Sequence, residues 1–192
     1  MSTTPETGTR SRTRRAILSA AASVLARNRA ATLADIAEAA QVGRSTLHRY
    51  FPDRRDLFNA TVTDSFQAVE RSVAEAAIDH GPPLEALRRL IAAMVDVGDR
   101  LAFLFGDARV LEEYTDCFEP DLSVPTTIDL IKRGQAQGVF DSQVSAEWIQ
   151  EMLWALTYTG WEAAEKGLLP RHGVTAAVIR MFENGIVVRR EP

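Results

Sequence analysis

Residues 32–58, TLADIAEAAQVGRSTLHRYFPDRRDLF, constrain this 192-residue chain more than any other stretch. They read as two short helices joined by a tight corner, then a third helix opening after Pro52. Thr32 is placed to cap the first, and Asp35 three residues on can return the bond. Leu33, Ile36, Ala37 and Ala40 recur at helical intervals, and the small Ala37 and Ala40 let a second helix approach closely. Gln41-Val42-Gly43 makes the corner, with Val42 positioned to fill the gap between helices and Gly43 to accept a positive backbone angle. From Arg44 onward only Leu47 and Phe51 face inward. A helix this short is not stable alone, because nucleation costs more than a few hydrogen bonds return. Those two side chains must anchor it.

The outward side of that second helix carries Arg44, Ser45, Thr46, His48, Arg49 and Tyr50, all hydrogen-bond donors. A DNA major groove matches such a helix in width and in chemistry. On Thr32, Ile36, Ala37, Ala40, Val42, Thr46, Leu47, Tyr50, Phe51, Arg54, Leu57 and Phe58 the stretch resembles the helix-turn-helix of the TetR (tetracycline-repressor) family of bacterial transcription regulators. The motif resemblance covers roughly the first third of the chain. It departs at Gly43, where the family has Ser or Thr, at His48 for Tyr, and at Arg54 for Lys. The resemblance implies an all-α fold, with an N-terminal three-helix head and a C-terminal helical ligand-binding and dimerisation domain. The expected organisation is a disordered basic arm over 1–10, a DNA-binding head over 11–58, and an effector-binding and dimerisation domain over 59–192. Arg44, Ser45, Thr46 and His48 are expected to meet bases, Thr32, Tyr50 and Arg54 phosphates, and Arg49 either. Arg12 and Arg14 are expected to reach phosphates or an adjacent minor groove, because positive charge at a helix start opposes the helix dipole and so calls for another purpose.

The net charge of −4 suits a DNA partner only because it is unevenly distributed. Residues 1–62 hold ten Arg and five Asp/Glu, a balance of +5, whereas the rest carries −9. A basic head on an acidic body orients a molecule on a polyanion. No apolar run reaches the length of a membrane span and the N-terminus has no apolar signal core, so no membrane partner is expected and the cytoplasm is the expected location. One cysteine, Cys117, excludes an internal disulfide, and no Cys/His cluster offers a metal site; no cofactor is expected.

Along the chain, a first helix is expected over Ser11 to Arg27, burying Ile17, Ala20, Ala21, Val24 and Leu25. Asp53 should cap a long helix from Arg54 to about Asp79, stopped by His80-Gly81-Pro82-Pro83. Helices are then expected from Pro83 with a break or kink near Gly98, over Arg100 to Tyr114 with an interruption or bend at Gly106, over Thr126 to Gln137, from a Ser145 cap to about Lys166, and over Val174 to Val188. Residues 115–124 read as loop. The 145–166 helix is apolar on several sides and so is expected to be buried on several sides. Trp154, Tyr158 and Trp161 share one face and, with Met94, Phe103, Phe105 and Tyr114, form the candidate ligand set, with Asp96, Asp99, Glu112 and Glu113 available to meet a cation or to pair with Arg100 and Arg109. Leu153, Leu156 and Gly160, with Ala177 and Met181 of the last helix, form the candidate dimer face. The expected function is that of a ligand-responsive homodimeric repressor acting on a near-palindromic DNA operator and released by a small-molecule effector. The alternatives are a small-molecule-binding or enzymatic protein retaining the head as scaffold, and a transcriptional activator.

Overall fold

The computed structural model of the chain describes residues 8–114 and 126–187. Ten α-helices are described: α1 (Gly8–Arg27), α2 (Leu33–Ala39), α3 (Arg44–Tyr50), α4 (Arg54–Glu75), α5 (Pro83–Asp96), α6 (Gly98–Phe105), α7 (Arg109–Glu113), α8 (Thr127–Ala136), α9 (Ala146–Glu165) and α10 (Val174–Ile186). Outside them, an isolated antiparallel bridge joins Phe140 to Val187, and Asp141 N donates to Ile186 O at 2.9 Å. The loop expected over 115–124, with Cys117 in it, and the ends of the arm and of the last helix (1–7, 188) lie outside the described residues.

The chain divides into two compact units. Residues 8–67 and 102–114 form the first, and 68–101 with 126–187 the second. In the first, α2 packs on α1 and α3. Its core is Ile17, Leu18, Ala21, Ala22, Leu25, Ile36, Ala37, Leu47, Phe51, Leu57 and Val62. The α1 stripe therefore lies one residue away from the expected one on part of its length: Leu18 and Ala22 are buried while Ala20 and Val24 are only half-buried. A disordered 8–10 is also corrected. Helix α1 starts at Gly8, because Arg12 Nε donates to Gly8 O at 3.2 Å and Thr13 Oγ1 to Thr9 O at 3.0 Å, which closes the first turn.

In the second unit α5, α8, α9 and α10 pack on one another. Leu87, Leu90, Ile91, Met94, Leu130, Ile131, Phe140, Ile149, Leu153, Val178 and Phe182 fill the space between them. Pro83 opens α5 at a position that needs no N–H donor. Thr126 and Asp129 form a capping box on α8, and the expected Ser145 cap on α9 is present, accepting from Trp148 N at 3.1 Å. Ser145→Ala should lower the unfolding free energy by about 1 kcal/mol in denaturant melts; no change would mean that water replaces the cap without loss.

The end of α4 differs from the expectation. It stops at Glu75 instead of near Asp79, and Ala77 turns left-handed at φ 47°. Arg89 donates to the carbonyls of Ala76, Ala77 and His80 at 2.7, 2.8 and 2.8 Å, and Arg133 to those of Ile78, at 2.8 Å, and Asp79. Two guanidinium forks thus satisfy the carbonyls that a continued helix would have bonded. Past α5 the expected break is present, but the next helix starts at Gly98 instead of Arg100, and it splits at Gly106 into α6 and α7.

In the first unit Asp107 sits just ahead of α7. Its carboxylate accepts from the Arg109 guanidinium at 3.0 and 2.8 Å and from Arg109 N at 3.0 Å, and it lies 3.1 Å from Arg29 Nη1. These contacts, those of Arg109 foremost, hold its carboxyl down to about 2. What this group adds to stability is complete above its ordinary value of 3.8 and is lost as the pH falls through about 2. A carboxyl-carbon NMR titration of Asp107 should show a midpoint near 2; a midpoint at the ordinary value would mean the contacts are not kept in solution.

Candidate functional site

The corner between α2 and α3 is held by local bonds. Thr32 Oγ1 accepts from Asp35 N at 3.2 Å, and the Asp35 carboxylate accepts from Thr32 N at 2.7 Å, so the expected capping box is formed. Those Thr32 bonds, the backbone one first, lower the Asp35 pKa. The positive backbone angle falls on Gln41 (φ 55°), not on Gly43, which is extended at φ −67° and caps α3 without a side-chain bond. Val42 is half-buried in the gap. Leu47 is 1% exposed and is the buried residue of α3, while Phe51, 4% exposed, closes its end.

Around that anchor Arg44, Ser45, His48 and Arg49 are exposed, and Thr46 and Tyr50 are half-buried. Thr32, Arg12 and Arg14 are exposed as well. The arm arginines divide their work. Arg12 turns back onto Gly8 and Thr9. The Arg14 guanidinium lies 5.6 Å from the centroid of the Phe51 ring, within cation–π range. Arg10, which the sequence places with Arg12, Arg14 and Arg15 in one basic cluster, lies 5.9 Å from the Tyr50 ring centroid, and Arg49 flanks the same ring at 5.8 Å. Arg54 is engaged within the head: Nη1 donates to Ala31 O at 2.5 Å and Nη2 to Arg29 O at 2.9 Å. Two arms of its fork brace the loop before α2 instead of pointing outward.

The candidate ligand residues fall in both units. In the first, Phe103 is 3% exposed and meets Phe58 edge-on at 5.9 Å, Phe105 is 59% exposed and meets Phe66 at 6.3 Å, and the Tyr114 hydroxyl lies 2.9 Å from Thr63 Oγ1. In the second, Met94 is fully buried, Trp154 packs partly buried on the core, and the rings of Tyr158 and Trp161 lie 6.1 Å apart. Trp161 covers Gly98, where a β-carbon would come within 2.9 Å of Trp161 Cδ1. An open polar cleft of about 490 Å³ in the first unit is lined by Arg14, Tyr50, Asp56, Asn59 and Asp64 among others, and by none of the seven candidate ligand residues. The acidic pairings differ from the expected ones: Glu113 meets Arg29 at 2.8 Å, and Arg109 pairs with Asp107.

The candidate dimer face needs correction. Leu153 is 0% exposed inside the second unit's core, and Gly160 is buried where α10 crosses: a β-carbon there would lie 2.9 Å from Val174 Cγ1 and Val178 Cγ2. Both serve packing within the chain. Leu156 and Ala177 are half-buried, and Met181 is 65% exposed. The outer stripe of α9 is Trp148, 56% exposed, with Met152, Ala155 and Thr159.

Residues 17–61 match the family profile described as bacterial regulatory proteins, tetR family. Over 182 residues, 95% of this chain and 94% of the other, the sequence is 35% identical to the HTH-type transcriptional repressor LfrR of Mycolicibacterium smegmatis. The chain belongs to the TetR family. This TetR-family protein is also 29% identical over 162 residues to the HTH-type transcriptional regulator NfxB of Pseudomonas aeruginosa, covering 81% of this chain and 84% of the other. Its fold superposes on the crystal structure of LfrR from Mycobacterium smegmatis with a TM-score of 0.71, at 32% identity over 95% of this chain and 100% of that one. For LfrR in complex with proflavine the TM-score is 0.68, at 33% identity over the same shares. The chain is a DNA-binding transcriptional regulator with the all-α fold of its family. Among the described residues no helix is long and apolar enough to cross a membrane, and no group of three His, Cys, Asp or Glu is placed to hold a metal ion.

Proposed function

We propose that this regulator is a homodimeric repressor whose two heads read a near-palindromic operator. The observation that carries the reading is α3, anchored from beneath by Leu47 and presenting Arg44, Ser45, His48 and Arg49 to solvent. Two such helices meet successive major-groove faces when spaced about 34–36 Å apart or a multiple of it. Arg44, Ser45, Thr46 and His48 address bases, Thr32 and Tyr50 phosphates, Arg49 either, and Arg12 and Arg14 the backbone or minor groove beside them. Arg10, stacked on Tyr50, joins them, while Arg54 contributes by bracing the loop before α2. DNA binding falls to residues 11–58, and effector binding and dimerisation to 59–192, although 59–67 and 102–114 pack with the head. The protein acts in the cytoplasm as a binding protein, not an enzyme. Selection from a random duplex pool should return an inverted repeat; a sequence without two-fold symmetry would refute the dimeric reading. Arg44→Ala should then cost about 1–3 kcal/mol and relax preference at one operator position. An unaltered preference would remove Arg44 from the base-reading set.

Dimerisation uses the outer stripe of α9, Trp148, Met152, Ala155 and Thr159, with Ala177 and Met181 of α10. Large exposed apolar side chains gathered on two neighbouring helices suit the self-complementary patch of a two-fold interface. The effector is a planar aromatic cation, held against Trp154, Tyr158 and Trp161 with the carboxylates of Asp96 and Asp99 supplying charge. The proflavine complex of LfrR prompts this choice, and the aromatic set of α9 supports it. Release follows if the cation binds better to a form whose heads are wrongly spaced. Proflavine should quench Trp fluorescence saturably and dissociate the selected duplex; saturable quenching with the DNA complex intact would reject the release step.

A further inference from the structure

Arg29 has no part in the DNA and effector contacts proposed above, yet its surroundings are elaborate. It lies in the loop between α1 and α2, three residues before Thr32. Its Nη1 is 3.1 Å from Asp107 Oδ2 and its Nη2 2.8 Å from Glu113 Oε1. Both nitrogens are sealed from solvent, while the Asp107 and Glu113 side chains are 31% and 59% exposed, so salt screens the attraction from the carboxylate side only. The backbone of the same residue is gripped separately, its carbonyl accepting from Arg54 Nη2 at 2.9 Å, while Ala31 O accepts from Nη1. The loop that leads into the helix-turn-helix is thus tied by main chain to the start of α4 and by side chain to the two ends of α7.

Helix α7 spans five residues and follows the Gly106 interruption, and a helix so short does not hold its own conformation. It is placed by contacts: Arg29 on its two flanking carboxylates, Tyr114 on Thr63 and, further back, Phe103 on Phe58. Segments of this kind belong to the low-stability end of a protein, where switching elements are found. A displacement of about 2 Å would take both pairs beyond ion-pair reach and weaken the attraction accordingly.

We propose that the Arg29–Asp107–Glu113 cluster is a latch through which α7 and the reading helices control one another's position. Arg29 is the positioning residue: it acts through the loop on Thr32, the cap of α2, and so on α2 and α3. The latch rests on the reading that the head is the part contacting DNA. Coupling of this kind is reciprocal, so whatever shifts α7 alters operator affinity, and operator binding alters α7.

The test measures backbone hydrogen exchange over residues 107–114 in the full-length protein, with and without a duplex selected from a random pool by the wild type. Binding is expected to change exchange there several-fold in the wild type. The change should vanish in Arg29→Gln and in Asp107→Asn/Glu113→Gln, which opens the cluster from the opposite side without touching the loop. Arg29→Lys, which keeps the charge, should retain part of it. A purely structural role would lower the melting temperature of these variants and leave the response to DNA intact. Exchange that ignores DNA in the wild type, or that responds equally in the two neutralised variants, overturns the latch. A pool that yields no bound duplex would overturn the DNA-contacting assignment of the head and the latch with it.

Discussion

Leu47→Ala is expected to weaken operator binding on the order of a hundredfold while leaving the unit built from α5, α8, α9 and α10 folded. Leu47 is 1% exposed and is the buried residue of a seven-residue helix. A helix of that length takes its stability from packing, not from its own hydrogen bonds. Truncating a buried leucine costs about 2–5 kcal/mol, through lost burial and the cavity left behind. Concentrated on α3, a loss near 3 kcal/mol corresponds to on the order of a hundredfold in affinity. Arg44, Ser45 and His48 would still be present but no longer held in register. Gel shift against the selected duplex and thermal denaturation by far-UV circular dichroism check both halves of this expectation. Wild-type affinity in Leu47→Ala would mean that DNA itself orders α3 and that the anchor is dispensable.

The second large effect concerns the subunit contact. Met181→Asp is expected to convert the dimer to monomers without unfolding the chain, because Met181 is 65% exposed and makes no part of the core. Two linked heads gain about 10²–10⁴ in affinity over one through effective concentration, so the monomer should lose operator affinity on that scale. Leu153→Ala is the contrasting substitution. Its side chain is 0% exposed among the core residues of its own subunit, and its loss should cost about 2–5 kcal/mol of stability with the dimer still present in whatever remains folded. Sedimentation velocity and denaturant unfolding of the two variants separate the cases. A dimeric Met181→Asp would place the contact on another surface.

How legible each of these residues was in the sequence depends on how far away its partner lies. Thr32 and Asp35 are three residues apart, Ser145 and Trp148 likewise, and both caps appear where the pattern put them. Leu47 and Phe51 could be assigned as anchors because everything between them is polar. The face of α9 was another matter. That helix is apolar on several sides, so its rotation about its axis is not encoded in its own periodicity: its pattern offers Leu153 and Gly160 to a partner subunit, whereas Leu153 is buried in the core and α10 covers Gly160. Arg54 matched a family position, but the carbonyls it braces belong to a loop more than twenty residues earlier.

The chain's own order therefore determined the helices, their caps, the anchored donor-bearing α3 and the family to which they point, since all of these follow from contacts within a few residues. Tertiary structure alone decided that α4 ends at Glu75 under the forks of Arg89 and Arg133, that Arg29 meets Asp107 and Glu113, and which side of α9 is left bare. Those outcomes join residues that are distant in sequence, and a guanidinium or an apolar face takes whichever partner the packed helices bring within reach.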